Sequence, residues 1–133
     1  MKYFGTLAAL ATFMAITLIA ACSKDKEAPP PLNLGNTTWK DSAIISGIKY
    51  KPFTVQFNED GTAQVTFAGY SPFKGFWNKL PTSAVVNIYF TESATSTWKG
   101  RGTLNTDNTK IESGTLERLT PSTITGIFVV TKQ

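Results

Sequence analysis

The sequence predicts an all-β domain, an eight-stranded antiparallel up-and-down barrel, on three observations. From Gly35 onward Thr, Val, Ile and aromatic residues alternate with polar ones, and no window carries a helical period. Short turn signals recur every 10 to 15 positions and divide the alternation into eight runs. No helix is left over to cover a sheet face, so closure both buries the inner face and removes the exposed edges. A two-sheet sandwich is the competing arrangement.

The first run, 37–45, carries Trp39, and a longer connection from Ser46 to Pro52 follows it. The second, 53–58, places Phe53, Val55 and Phe57 on one face and Thr54, Gln56 and Asn58 on the other. Asn58-Glu59-Asp60-Gly61 is a polar hairpin turn of residues that tolerate positive φ, and it leads into the third run, 62–68. Gly69-Tyr70-Ser71-Pro72 then introduces 73–79. Leu80-Pro81-Thr82-Ser83 uses proline to end that strand before 84–91, where Ala84, Val86, Ile88 and Phe90 share a face. Glu92 to Ser96 is the second longer connection, before 97–104. Asn105-Thr106-Asp107-Asn108 turns the chain into 109–118, and Leu119-Thr120-Pro121-Ser122 into 122–131. Glycines 75, 100, 102, 114 and 126 fall inside strands, where they weaken pairing but permit the tight coiling of a small barrel.

Ahead of the barrel, Lys2 precedes an uncharged run from Phe4 to Ala21, and Leu18-Ile19-Ala20-Ala21-Cys22 closes it on the only cysteine of the chain. A basic start, an apolar middle and small residues at a cut make a secretory signal. Ile19-Ala20-Ala21-Cys22 resembles the lipobox of bacterial lipoproteins. The resemblance implies that Cys22 receives diacylglycerol on sulfur, becomes the mature N-terminus and is acylated there too. A membrane-spanning helix of the same length and a buried free cysteine are the alternatives. One fatty chain binds a membrane marginally, whereas two or more anchor it, which gives the multiple acylation its reason.

The chain thus divides into a signal peptide, 1–21, a lipidated Cys22 with a flexible Pro-rich tether, 22–34, and a barrel domain, 35–133. Ser23-Lys24-Asp25-Lys26-Glu27 is charged and Ala28-Pro29-Pro30-Pro31 favours an extended polyproline stretch, so neither can form a core. Charges directly after a lipidated cysteine resemble the signal by which some outer-membrane lipoproteins reach the cell surface. An ordinary solvated linker is the plain alternative.

Composition excludes several functions. Removing the 21 residues before Cys22 from the 133 leaves 112, enough for one domain. The mature chain carries 12 basic against 9 acidic residues with no basic block, which gives nucleic-acid binding no support. With Cys22 lipidated no thiol remains for a disulfide, so the fold rests on its core alone. Histidine is absent, which removes the commonest general base and metal ligand and every Ser-His or Cys-His arrangement. The domain's seven carboxylates are Asp41, Glu59, Asp60, Glu92, Asp107, Glu112 and Glu117. No pattern sets two of them face to face as a glycosidase requires, and no loop supplies a calcium ligand set. No catalytic residue, metal or cofactor is expected, and the chain is expected to be a monomer.

Asn33-Leu34-Gly35-Asn36-Thr37-Thr38-Trp39-Lys40 resembles the first-strand Gly-x-Trp signature of calycin barrels, one residue longer than the usual spacing. With Asp60-Gly61-Thr62-Ala63, Gly75-Phe76-Trp77, Trp98-Lys99-Gly100-Arg101-Gly102-Thr103-Leu104 and Asp107-Asn108-Thr109-Lys110-Ile111, the domain resembles the small lipocalin-like domains of bacterial lipoproteins. The same order also resembles avidin-type barrels, without a matching biotin-contact set, and the long final helix of lipocalins is missing. The lipocalin-like resemblance implies an eight-stranded barrel and a small ligand. It also implies that Trp39 plugs the closed end.

Connections alternate between the two ends of an up-and-down barrel. One end gathers Ile48, Tyr50, Phe53, Tyr70, Phe73 and Trp98, with Lys49, Lys51, Lys74 and Lys99 nearby; the other receives Trp39, Phe57 and Trp77. With the Trp39 end closed, the first is the mouth. Aromatic platforms ringed by lysines would suit a ligand with an apolar or sugar face and a negative group. Ser113 and Thr115, on the face of Ile111, would be polar handles. Two functions follow as expectations. One is a lipid-anchored protein of the bacterial envelope, at the outer membrane or cell surface, that holds a small hydrophobic, amphipathic or sugar-like ligand. The other is a non-catalytic interaction or scaffold module with a filled barrel and binding loops, since eight strands barely enclose more than their own side chains.

Overall fold

The computed structural model describes residues 32–133. Cys22, the signal-like run and the tether as far as Pro31 lie outside these residues. Eight strands follow in chain order: β1 (Thr37–Ile45), β2 (Ile48–Phe57), β3 (Thr62–Phe67), β4 (Phe73–Asn78), β5 (Val85–Ser93), β6 (Ser96–Leu104), β7 (Lys110–Arg118) and β8 (Ile124–Lys132). Each pairs antiparallel with the next, and β8 returns to β1 from Trp39↔Lys132 to Ile45↔Gly126, closing the barrel. The domain is therefore all-β with no sheet edge left open.

Two connections expected to be long are tight turns. Ser46 and Gly47, with φ of 49° and 81°, join β1 directly to β2 in a two-residue turn of the kind that matches strand twist. Pro52 does not end β2. It sits in a bulge where Lys51 and Pro52 together oppose Ser42, so its missing N–H costs no ladder bond. Similarly, β5 runs on to Ser93 and Ala94-Thr95 turns the chain into Ser96.

The inside is filled for most of its length. Phe53, Val55, Phe57, Val65, Phe67, Val86, Ile88, Phe90, Leu104, Phe128 and Val130 are buried, whereas Ile124, also expected inside, is half-buried at one end. Gly75 lets β4 lie against β5, because a Cβ there would stand 1.9 Å from the Tyr89 carbonyl oxygen. The end that carries the β2–β3 turn is sealed by Trp39, Phe57 and Trp77, edge to face at centroid distances of 6.3 and 5.4 Å. Both indoles are satisfied locally: Trp39 Nε1 donates to Thr37 Oγ1 and Trp77 Nε1 to the Asn58 carbonyl.

Leu34 is fully buried and Leu32 packs against the same core, so the packing reaches back beyond Gly35 into the stretch read as tether. Residues Pro31–Gln133 form a compact unit of their own. A closed ladder and a private core are the conditions under which such a unit folds alone.

Candidate functional site

Tyr50, Tyr70, Phe73 and Trp98 come together at the opposite end, the expected mouth, where they line a cavity of about 240 Å3. Its floor is a layer of rings. Phe67 lies 5.3 Å from Tyr50 and 6.1 Å from Phe73, and Phe90 stacks parallel to Trp98 at 6.0 Å. Tyr70 leans over from the β3–β4 connection, 6.1 Å from Tyr50 and 6.4 Å from Phe73. Its own turn is held by the Tyr70 N–H donating to the Phe67 carbonyl. A void of about 150 Å3 accepts benzene. This one therefore has room for a ring or a short branched chain, with the rest of a ligand outside.

Three expected site residues do not line the cup. Phe53 lies one layer below, 1% exposed, packed on Phe67 and Phe128. Ser113 and Thr115 are on the outer surface, in a depression over β1, β7 and β8. The reason is a bulge. Between Ile111↔Val130 and Gly114↔Phe128, β7 carries one residue more than β8, and Ser113 has φ 51°. One extra residue inverts the alternation, so Ile111, Gly114 and Leu116 face inward and Ser113 and Thr115 outward.

The lysines also part from expectation. Lys49 and Lys51 flank the inward Tyr50, Lys74 lies between Phe73 and Gly75, and Lys99 follows Trp98, so all four sit on outward positions. Lys99 stands over the outer Tyr89 ring at 5.9 Å, and Lys51 pairs with Asp41 at 3.8 Å.

The charge that lines the cup is instead a carboxylate. Glu92, the extra residue of a bulge between Thr91↔Thr97 and Ser93↔Ser96, is exposed and lines the cup, while Ser96 and Trp98 share the inward row of β6. Ser96 Oγ and Trp98 Nε1 both donate to Glu92 Oε2, at 2.9 and 3.0 Å. The Trp98 bond is the main cause of a lowered Glu92 pKa, against some desolvation, with help from Ser96 and the Arg118 charge. Burial, then Tyr70 and then Glu92 raise the Tyr50 phenol. Arg118 stands 6.0 Å from the Trp98 ring centre. Its Nε donates to the Ser122 carbonyl and Nη2 to Ser122 Oγ. Among the described residues Glu92 has no cationic partner within 4.0 Å.

Other carboxylates serve local structure. Asp60 Oδ1 accepts from the N–H and Oγ1 of Thr62, which lowers its pKa and fixes the β2–β3 turn. Among the described residues no group of three or more Asp, Glu or Cys side chains is arranged to hold a metal.

No family model, curated protein or solved structure matches this chain. The eight-stranded closed barrel is compatible with a lipocalin-like fold and with ligand binding.

Proposed function

We propose that this chain is a lipid-anchored protein of the bacterial envelope that holds a small apolar or amphipathic ligand in the mouth of its barrel. The observation that carries the binding role is the aromatic cup of Tyr50, Phe67, Tyr70, Phe73 and Trp98 with one carboxylate among the rings. Concave, mostly apolar sites with a few fixed polar groups are what small ligands occupy. The anchor rests on the Ile19-Ala20-Ala21-Cys22 stretch, and it would keep the domain at a membrane, with outer-membrane or surface display supported by the charged residues after it. The role proposed is binding, and among the described residues one carboxylate, Glu92, lines the cup.

A second reading, a macromolecular interaction module, is favoured by the apolar rim. Ile48 at the start of β2, Tyr70 in the β3–β4 connection and Leu119 in the β7–β8 connection are 59%, 54% and 46% exposed. A thermal-shift screen of residues 31–133 against fatty acids, alkylamines, sterols and oligosaccharides separates the two readings. A ligand for the native state alone raises the unfolding temperature by mass action. A reproducible rise that disappears in Tyr70→Ala supports the cup. No shift at millimolar concentrations of any class would turn the assignment to the rim and a protein or glycan partner.

A further inference from the structure

We infer that the ligand of this mouth presents an ammonium group beside a compact apolar body, with Glu92 as its counter-ion. This rests on the binding role proposed above and reverses the negative group that the lysine-rich sequence around the mouth suggested.

Three observations converge. Glu92 is the bulged residue near the end of β5, and its carboxylate lines a cup of aromatic and aliphatic side chains whose other polar groups are the Ser46 hydroxyl, the Tyr50 and Tyr70 phenols and the Trp98 indole N–H. Ser96 and Trp98 hold its Oε2, while Oε1 accepts no hydrogen bond from the described residues. The carboxylate is thus held in place with capacity to spare. Next, the rings of Tyr50, Tyr70, Phe73 and Trp98 share the cavity with it, and ring faces attract cations, most strongly when water is excluded. Finally, among the described residues no cation lines the cup, although the Arg118 charge reaches Glu92 from outside it. Lys49, Lys51, Lys74 and Lys99 sit on outward positions, and Arg118 is tied to Ser122.

The alternatives fare worse on the same geometry. An anionic head seated in the cup would stand beside Glu92 with no lysine lining the cavity to offset it. A neutral ligand can at most donate a hydrogen bond to Oε1 and leaves the negative charge without a counter-ion. An ammonium group meets both the carboxylate and the ring faces.

The test uses residues 31–133 and three probes of one size: benzyltrimethylammonium, benzyl alcohol and phenylacetate, titrated at low ionic strength with Trp fluorescence and calorimetry. The ammonium probe should bind about tenfold tighter than benzyl alcohol, with phenylacetate weakest. In Glu92→Gln, whose amide oxygen can still accept from Ser96 and Trp98, the ammonium probe should lose about threefold or more, and more than benzyl alcohol loses. Equal or tighter binding of the neutral or anionic probe to the unaltered protein overturns the inference and leaves the cup as a binding site. So does an unchanged ammonium affinity in Glu92→Gln. Failure of all three probes to bind overturns both the inference and the small-ligand role.

Discussion

Trp98 Nε1 donates to Glu92 Oε2 at 3.0 Å, across the tight turn that joins β5 to β6. This bond fixes an indole that forms part of the cup wall and a carboxylate that gives the cup its charge. Trp98→Phe keeps the ring stack on Phe90 and removes only the donor. A hydrogen bond to a charged group contributes about 1.5–3 kcal/mol, and solvent access to Glu92 reduces that here to about 1 kcal/mol. Urea unfolding should show a loss of that size, and NMR titration should show the Glu92 pKa moving back up.

The same carboxylate predicts a pH dependence. Its folded pKa is depressed, so its contribution is complete above the ordinary value of 4.5 and is lost as pH falls through the folded value. The stability difference between the unaltered protein and Glu92→Gln should be constant near neutrality. It should shrink as pH drops below 4.5. A difference that instead grew on acidification would contradict the role of the Trp98 and Ser96 bonds.

Tyr70 is 54% exposed, so Tyr70→Ala should change stability by no more than about 0.5 kcal/mol. Its ring is nonetheless a wall of the cup, and any probe that binds there should lose affinity in the variant. Unchanged affinity beside unchanged stability would move the binding site elsewhere.

Gly75→Ala should be among the most damaging single-methyl additions. The new Cβ would meet the Tyr89 carbonyl at 1.9 Å and Phe90 Cα at 2.8 Å, both backbone atoms that can yield only by parting β4 from β5. Overpacking of this kind costs about 1–3 kcal/mol or more, measurable as a lower urea midpoint.

Phe57→Leu at the sealed end should cost about 1.5 kcal/mol and leave probe binding at the mouth unchanged, since Phe57 packs on Trp39 and Trp77 and does not line the cup. A loss of binding would show that the two ends communicate through the core.

Cys22→Ser should abolish membrane partition and leave a precursor of unprocessed mass. A processed, membrane-bound Cys22→Ser protein would remove the lipid anchor from the proposal.

Much of the mouth was legible from alternation within strands. Tyr50, Tyr70, Phe73 and Trp98 were placed at one end by counting connections, and Trp39, Phe57 and Trp77 at the other. Glu92 is less legible: the sequence reads Glu92 to Ser96 as a polar loop, whereas Ala94 and Thr95 alone make the turn and Glu92 is the extra residue of a bulge that no period-two count reveals. The four lysines misled for a related reason: being near the mouth in sequence says nothing about the face, and each adjoins an inward residue.

The number of strands, their order and the face of each residue along an unbroken run follow from local pattern alone, because a pleated strand repeats every two residues whatever surrounds it. The remainder depends on contacts between strands. The bulge in β7 inverts that period and sends Ser113 and Thr115 outward, a one-residue slip visible only against the β6 and β8 registers. Closure of β8 on β1 brings Ile45 and Ile124 to one rim with Tyr50, Tyr70 and Trp98. The charge of the cup was decided there too, because it depends on which side chains from separate strands share one enclosed volume.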